Sequence, residues 1–232
     1  MKTKPTPSRR AFSLTDLLML LAVLIGIATV ILPTLTRPRT YHSTRIRCTN
    51  NLKQVALAFR IWASDNNDKF PMQLVVTNGG VQELAAQGSA HAVFLLMSNE
   101  LCTPKILFCP GDNNSQRLMA TTFSAPGPAD ANAGTIPFTT TNHLSYFVGL
   151  DAEVIKPNTL LSGDDHFSVN GAKPPPGLFQ LATNAPVAWR EERHPLQGNI
   201  ALADGSVQGF STAALRAALA NTGIETNHLA MP

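Results

Sequence analysis

From Leu17 to Thr36 the chain runs for twenty residues without a charge, LLMLLAVLIGIATVILPTLT, with basic residues before it and after it. Rising 1.5 Å per residue as a helix, such a run spans a hydrocarbon core of about 30 Å. Lys2, Lys4, Arg9 and Arg10 lie on the short N-terminal side, and positive charge on a short flank holds that end in the cytoplasm. The remainder of the chain is then expected outside the inner membrane, on the periplasmic side. A removable secretory signal fits poorly: its apolar region is about 7 to 15 residues long and ends at a small-x-small cleavage site. Here the run is longer, and it is followed by Arg37, Pro38 and Arg39. A simple signal anchor fits the length but leaves Asp16 unexplained, because a carboxylate at the edge of the hydrocarbon costs a few kcal/mol unless it finds a partner.

Composition narrows the rest. With 44% hydrophobic and 14% charged residues, the chain is neither disordered nor collagen-like. The formal net charge of +3 is more than accounted for by the four basic residues of the leader, leaving residues 12–232 at about −1. No basic run follows Arg47, so the body lacks the clustered cations that bind a phosphate backbone, and no nucleic-acid partner is expected. No G-x-S-x-G, zinc-binding His pair, phosphate loop or dinucleotide fingerprint occurs either, and no enzymatic activity is expected.

The segment Arg9-Arg10-Ala11-Phe12-Ser13-Leu14-Thr15-Asp16-Leu17-Leu18 resembles the processing signal of type IV pilins and type II secretion pseudopilins. The resemblance implies that a prepilin peptidase cuts between Ala11 and Phe12 and methylates the new Phe12 amine. It further implies that Asp16 pairs with the Phe12 amine of a neighbouring subunit during filament assembly. An ammonium and a carboxylate among apolar helices are each costly alone and tolerable together. The family usually carries Gly before the cut and Glu as the acid. Here Ala11 keeps the position small, and Asp16 keeps the charge on a stem one methylene shorter. Pro33 falls where these helices commonly carry a proline, which removes a backbone donor and softens the helix into a kink.

Three further segments resemble a subfamily of prepilin-type proteins: Cys48-Thr49-Asn50-Asn51-Leu52-Lys53-Gln54, Phe108-Cys109-Pro110-Gly111-Asp112, and His194 followed after nine residues by Asp204-Gly205. Because Cys48 and Cys109 both sit in these motifs, the resemblance implies a disulfide bridging helix to turn. Cys102 with Cys109 is the alternative pairing, and three unbridged thiols are a further one; on the oxidising side of the membrane disulfides persist. Asp204 and Gly205 read as a type I′ turn between two strands, with Gly205 at positive φ. His194 is expected to cap that hairpin, with a cation shared between His194 and Asp204 as the alternative.

Gly163-Asp164-Asp165-His166 reads as a polar turn, against acid–base work or a divalent ion as the sharper alternative. Asp65-Asn66-Asn67-Asp68 has calcium-loop residue types without the glycine and final Glu of an EF-hand. Major pseudopilins often bind calcium, so the family resemblance keeps that cation open while no metal ligand is assigned.

Coarse patterning completes the expectation. Leu52, Val55, Ala56, Phe59, Trp62 and Ala63 recur at helical spacing within 41–66, a stripe that should pack on a sheet. Pro38 marks an irregular point before this helix. Strands are expected at 144–150, 160–163 and 186–189 and on both sides of Asp204-Gly205, and a terminal helix at 211–219 capped by Ser211. A surface excursion is expected over 123–137 and an exposed turn over 173–177. The expected whole is an α+β, pilin-like domain: a leader over 1–11, a transmembrane and filament-core segment over 12–36, and a periplasmic globular domain over 37–232. Its expected work is that of a filament subunit of a secretion pseudopilus or type IV pilus, with other such subunits, the peptidase and the membrane as partners. A membrane-anchored periplasmic module recognising a polymer or carbohydrate is the alternative, and an anchored hydrolase built on Asp164, Asp165 and His166 is a third.

Overall fold

The structure, a computed structural model, describes residues 14–35, 40–124, 134–194 and 196–232, leaving aside the side chains of 30–35 and 40–43. The expected cleavage pair Ala11 and Phe12, the irregular point at Pro38 and the middle of the 123–137 excursion lie outside these residues. The described residues divide into two units, the division along the chain falling between Thr40 and Tyr41.

The first unit is one helix, α1 (Leu14–Leu35), with Asp16 in its first turn, where the helix dipole favours a negative charge. The backbone stays helical through the position of Pro33 to Leu35. Leu17, Leu20 and Leu24 on one side, and Leu18, Leu21 and Ile25 on another, are all exposed, so the helix is apolar around its circumference. Among the described residues no helix is long and apolar enough to cross a membrane.

The second unit opens with α2 (Thr40–Asp65). Its predicted stripe is buried from Leu52 to Ala63, while Lys53 and Gln54 face solvent; each Leu or Phe so buried contributes about 2 kcal/mol. The helix ends where Asn67 and Asp68 turn to φ 55 and 56, with Asn66 Nδ2 donating back to the Trp62 carbonyl at 2.7 Å. Three short helices follow, α3 (Gln82–Ala86), α4 (Ala90–Leu96) and α5 (Ser98–Leu101), which the sequence reading did not anticipate. They add Ala85, Val93, Phe94 and Leu101 to the core under α2.

Then come β1 (Tyr146–Gly149), β2 (Leu160–Asp164), β3 (Phe167–Val169), β4 (Gly177–Ala182), β5 (Val187–Trp189), β6 (Gln197–Leu202), β7 (Val207–Ser211), α6 (Thr212–Ala220) and β8 (Thr226–Met231). Six strands form one antiparallel sheet in the order β4-β8-β1-β2-β6-β7, and β3 pairs with β5 in a ribbon. The architecture is therefore α+β, a helix and an antiparallel sheet.

Strand periodicity gives the sheet two buried faces. Tyr146, Val148, Leu161, Ala201 and Ala230 join the cluster of α2. Their neighbours Phe147, Leu160, Ile200, Leu202, Leu229 and Met231 pack on the opposite side with α6 and the ribbon residues Phe167, Val187 and Trp189. The ribbon comes so close that a Cβ on Gly198 would lie 2.3 Å from the Trp189 ring, so only glycine fits there. Ser211 caps α6 as expected, its Oγ accepting from the Ala214 N–H at 3.3 Å.

The β6–β7 turn differs from the expected type I′. Among the described non-glycine residues Asp204 is absent from the positive-φ set, whereas Gly205 has φ 88. The Leu202 N–H donates to the Ser206 carbonyl at 2.9 Å and the Gly205 N–H to that of Leu202 at 2.9 Å. This is a three-residue loop with one left-handed position, which glycine supplies without strain.

Candidate functional site

The motif segments meet where the first half of α2 reaches one end of β1, β2 and β6. Cys48 and Cys109 are joined by a disulfide, while Cys102 is free and exposed. The alternative pairing of Cys102 with Cys109 and the unbridged arrangement are both set aside by that bond. Beside it, Asn51 Nδ2 donates to the Phe108 carbonyl at 3.1 Å, so two motif residues of α2 fasten the Phe108–Asp112 turn. Thr49 Oγ1 reaches Asn199 Oδ1 at 2.9 Å, and the Tyr146 hydroxyl donates to the Cys48 carbonyl at 3.3 Å.

The Gly163–His166 segment is not a solvated turn. Asp164, Asp165 and His166 are buried together with Arg117 and Arg193. Arg117 donates through Nη2 to Asp165 at 2.5 Å and through Nη1 to Asp112 at 2.9 Å. Arg193 Nη2 reaches Asp112 at 2.5 Å and Asp165 at 2.9 Å, and its Nη1 donates to the Ser145 carbonyl at 2.9 Å. Ser145 Oγ donates to Asp112 at 2.8 Å. Asp164 Oδ2 accepts from both the backbone and side-chain N–H groups of Asn199, at 2.7 and 2.9 Å.

Burial pushes the Asp165 carboxyl upward, but Arg193 and Arg117 outweigh it and hold that carboxyl below its usual range. Burial likewise disfavours the charged forms of both guanidiniums, and the surrounding aspartates more than restore them. Two guanidiniums that together bridge Asp112 and Asp165 make a rigid joint, and Asp165, held ionised between them, is a poor proton donor near neutrality.

Two buried imidazoles border the network. Burial lowers the His166 pKa despite the opposing field of Asp164, and His166 Nε2 contacts the Gln197 carbonyl at 3.0 Å. Burial, again opposed by Asp164 and aided by His166 and Arg193, pushes His194 down to about 4 from 6.5. His194 Nε2 lies 3.4 Å from Cys109 Sγ. The expected hairpin cap and the expected cation with Asp204 do not form: His194 precedes β6 and the exposed Asp204 follows it. A six-residue strand separates its ends by about 20 Å.

Because His194 binds its proton more weakly folded than unfolded, protonation favours the unfolded chain between those two values. Stability is expected to be complete above pH 6.5 and to fall as the pH drops toward about 4, by about 1–2 kcal/mol after discounting for solvent screening. Urea unfolding at successive pH values checks this. A His194→Asn variant should show a flatter slope over that interval, and an equal slope in both proteins would contradict the assignment.

Outside the network lies an open cleft of about 380 Å³, lined among others by Asn114, Arg117, Asp165, Lys173, Arg190 and Arg193. At Asp65–Asp68 the structure shows a helix terminus. Among the described residues the one group of three side chains able to converge on a metal is Cys48, Cys109 and His194, a soft set that does not suit calcium. Arg117 and Arg193 were missed by sequence reading. The available sign was that each arginine stands near a motif residue, Asp112 or His194, in a chain with few charges.

No protein-family profile, no curated protein and no solved structure matches this chain. The class defined by the fold and site is thus an α+β domain in which a disulfide joins α2 to the Phe108–Asp112 turn and a buried ionic network joins that turn to Asp165, next to the end of β2.

Proposed function

We propose that the chain is a prepilin-like structural subunit. Prepilin peptidase removes residues 1–11 and methylates Phe12, and the processed protein assembles into a type II secretion pseudopilus or a type IV pilus-like filament. Before assembly it is a single-pass inner-membrane protein with a cytoplasmic N-terminus and a periplasmic α+β domain of pilin type. The observation that carries this reading is α1: a helix apolar and exposed on every described side from Leu14 to Ile27, with one acid at its start. Such a helix finds its partner in lipid or in a bundle of like helices, and the sequence ahead of it has the form of a prepilin leader. The α2 stripe packed on the sheet supports the pilin-type domain. The pairing of Asp165 with both Arg117 and Arg193 supports a structural role over a hydrolytic one.

Asp16→Ala is expected to leave cleavage at Ala11 and Phe12 intact and to reduce filament yield at least tenfold, read as sheared filament protein against processed membrane protein. The magnitude follows from leaving the Phe12 ammonium of the incoming subunit unpaired among apolar helices, a loss of several kcal/mol. Equal yields from mutant and wild type argue against the pairing. A second reading, a membrane-anchored module that binds a polymer and does not assemble, is favoured by the polar cleft beside Arg117 and Arg193. Recovery of processed protein that never enters filaments separates the two.

A further inference from the structure

We infer that Cys48, Cys109 and His194 form a metal site for a thiophilic cation, Zn²⁺ or Cu⁺, that the disulfide masks and reduction opens. The three potential ligand atoms lie within 4.8 Å of one another, and all three residues are buried. Two sulfurs and one imidazole nitrogen are the donor set such cations prefer. His194 Nε2, 3.4 Å from Cys109 Sγ, is already close to the edge of a metal tetrahedron, about 3.6 Å between a thiolate and an imidazole nitrogen at ordinary bond lengths. The two cysteine Cα atoms are 5.0 Å apart, so side-chain rotation alone can move the freed sulfurs to the roughly 3.8 Å that two thiolates on one metal require.

The scaffold holds this geometry independently of the bond between the sulfurs. Asn51 fastens the Phe108 carbonyl, the Tyr146 hydroxyl fastens that of Cys48, and the neighbouring Arg193 is fixed by Asp112, Asp165 and Ser145. A dithiol reductant supplies the opening step. Two electrons pass to the Cys48–Cys109 bond, which takes up two protons to give two thiols, while the reductant becomes a disulfide. Metal binding then releases both thiol protons to solvent, and the cation exchanges water ligands for two thiolates and one imidazole. The fourth position is left to water or an external ligand. The α2-to-turn staple would thus pass from a covalent bond to a coordinate one.

The test uses the full chain in detergent carrying Cys102→Ser, which removes the exposed thiol. After anaerobic reduction and removal of reductant, Co²⁺ is titrated in, followed by Zn²⁺. The expected result is thiolate-to-cobalt charge-transfer absorption saturating at one Co²⁺ per chain and bleached by Zn²⁺. The oxidised protein should show none, and His194→Ala should weaken binding about tenfold or more. Absent bands in the reduced protein, equal bands in the oxidised protein, or unaltered affinity in His194→Ala each overturn the site. Should reduction loosen the domain, Zn²⁺ must restore its thermal transition, and a transition that Zn²⁺ leaves unmoved overturns the proposal as well.

Discussion

Arg193→Ala is expected to lower the unfolding free energy by about 3–5 kcal/mol, the usual cost of removing one partner from a buried ion pair. The guanidinium serves Asp112, Asp165 and the Ser145 carbonyl together and stands 3.8 Å from Asp164 Oδ1, an oxygen with no hydrogen bond of its own. Without it, Arg117 alone pairs with Asp112 and Asp165, and Asp164 loses its nearest countercharge. Arg193→Lys keeps the charge but loses the planar fork that reaches several acceptors at once, so it should fall between wild type and alanine. The changes are read from denaturant midpoints at constant slope. A loss under about 1 kcal/mol for the alanine variant, typical of an exposed pair, would mean the network is not closed to water.

Replacing Cys48 and Cys109 together by serine is expected to cost about 4 kcal/mol. The bond closes a loop with a sequence separation of 61, and the chain-entropy relation assigns a loop of that length about this much destabilisation of the unfolded state. The loop takes in α2 from Cys48 onward and the entire region of α3, α4 and α5, while the turn that carries Asp112 stays held by Asn51, Arg117 and Arg193. Cys102→Ser, at an exposed position, should change stability by less than about 0.5 kcal/mol. Equal effects of the double variant and of Cys102→Ser would contradict the structural role given to the bridge.

Local physics made part of this molecule legible in advance. The α2 stripe repeats at helical spacing, and Leu52, Val55, Ala56 and Phe59 are buried as that spacing requires. Expected strands at 160–163 and 186–189 correspond to β2 and β5, and the Ser211 cap starts α6. By contrast β8 was invisible, because its place between β4 and β1 is fixed by pairing with strands far away in the chain. β4 was likewise not anticipated: the expected turn at 173–177 overlaps only its first residue, Gly177, and its pairing exists only once β8 arrives. Asp164 and Asp165 looked like a polar turn since their countercharges, Arg117 and Arg193, come from remote segments. Carboxylate burial becomes affordable only after those segments assemble, and no short window of sequence contains that information. The type of the Asp204-Gly205 turn was misread for a smaller reason: the same dipeptide fits a three-residue loop when the glycine alone is left-handed.

The central claim, a prepilin-like subunit, is tested most directly by the intact mass of the membrane-extracted protein, expressed with and without a prepilin peptidase. A peptidase-dependent loss of residues 1–11 together with one added methyl group on Phe12 is expected. An uncut mass in the presence of the peptidase would contradict it, and the anchored binding module would then take its place.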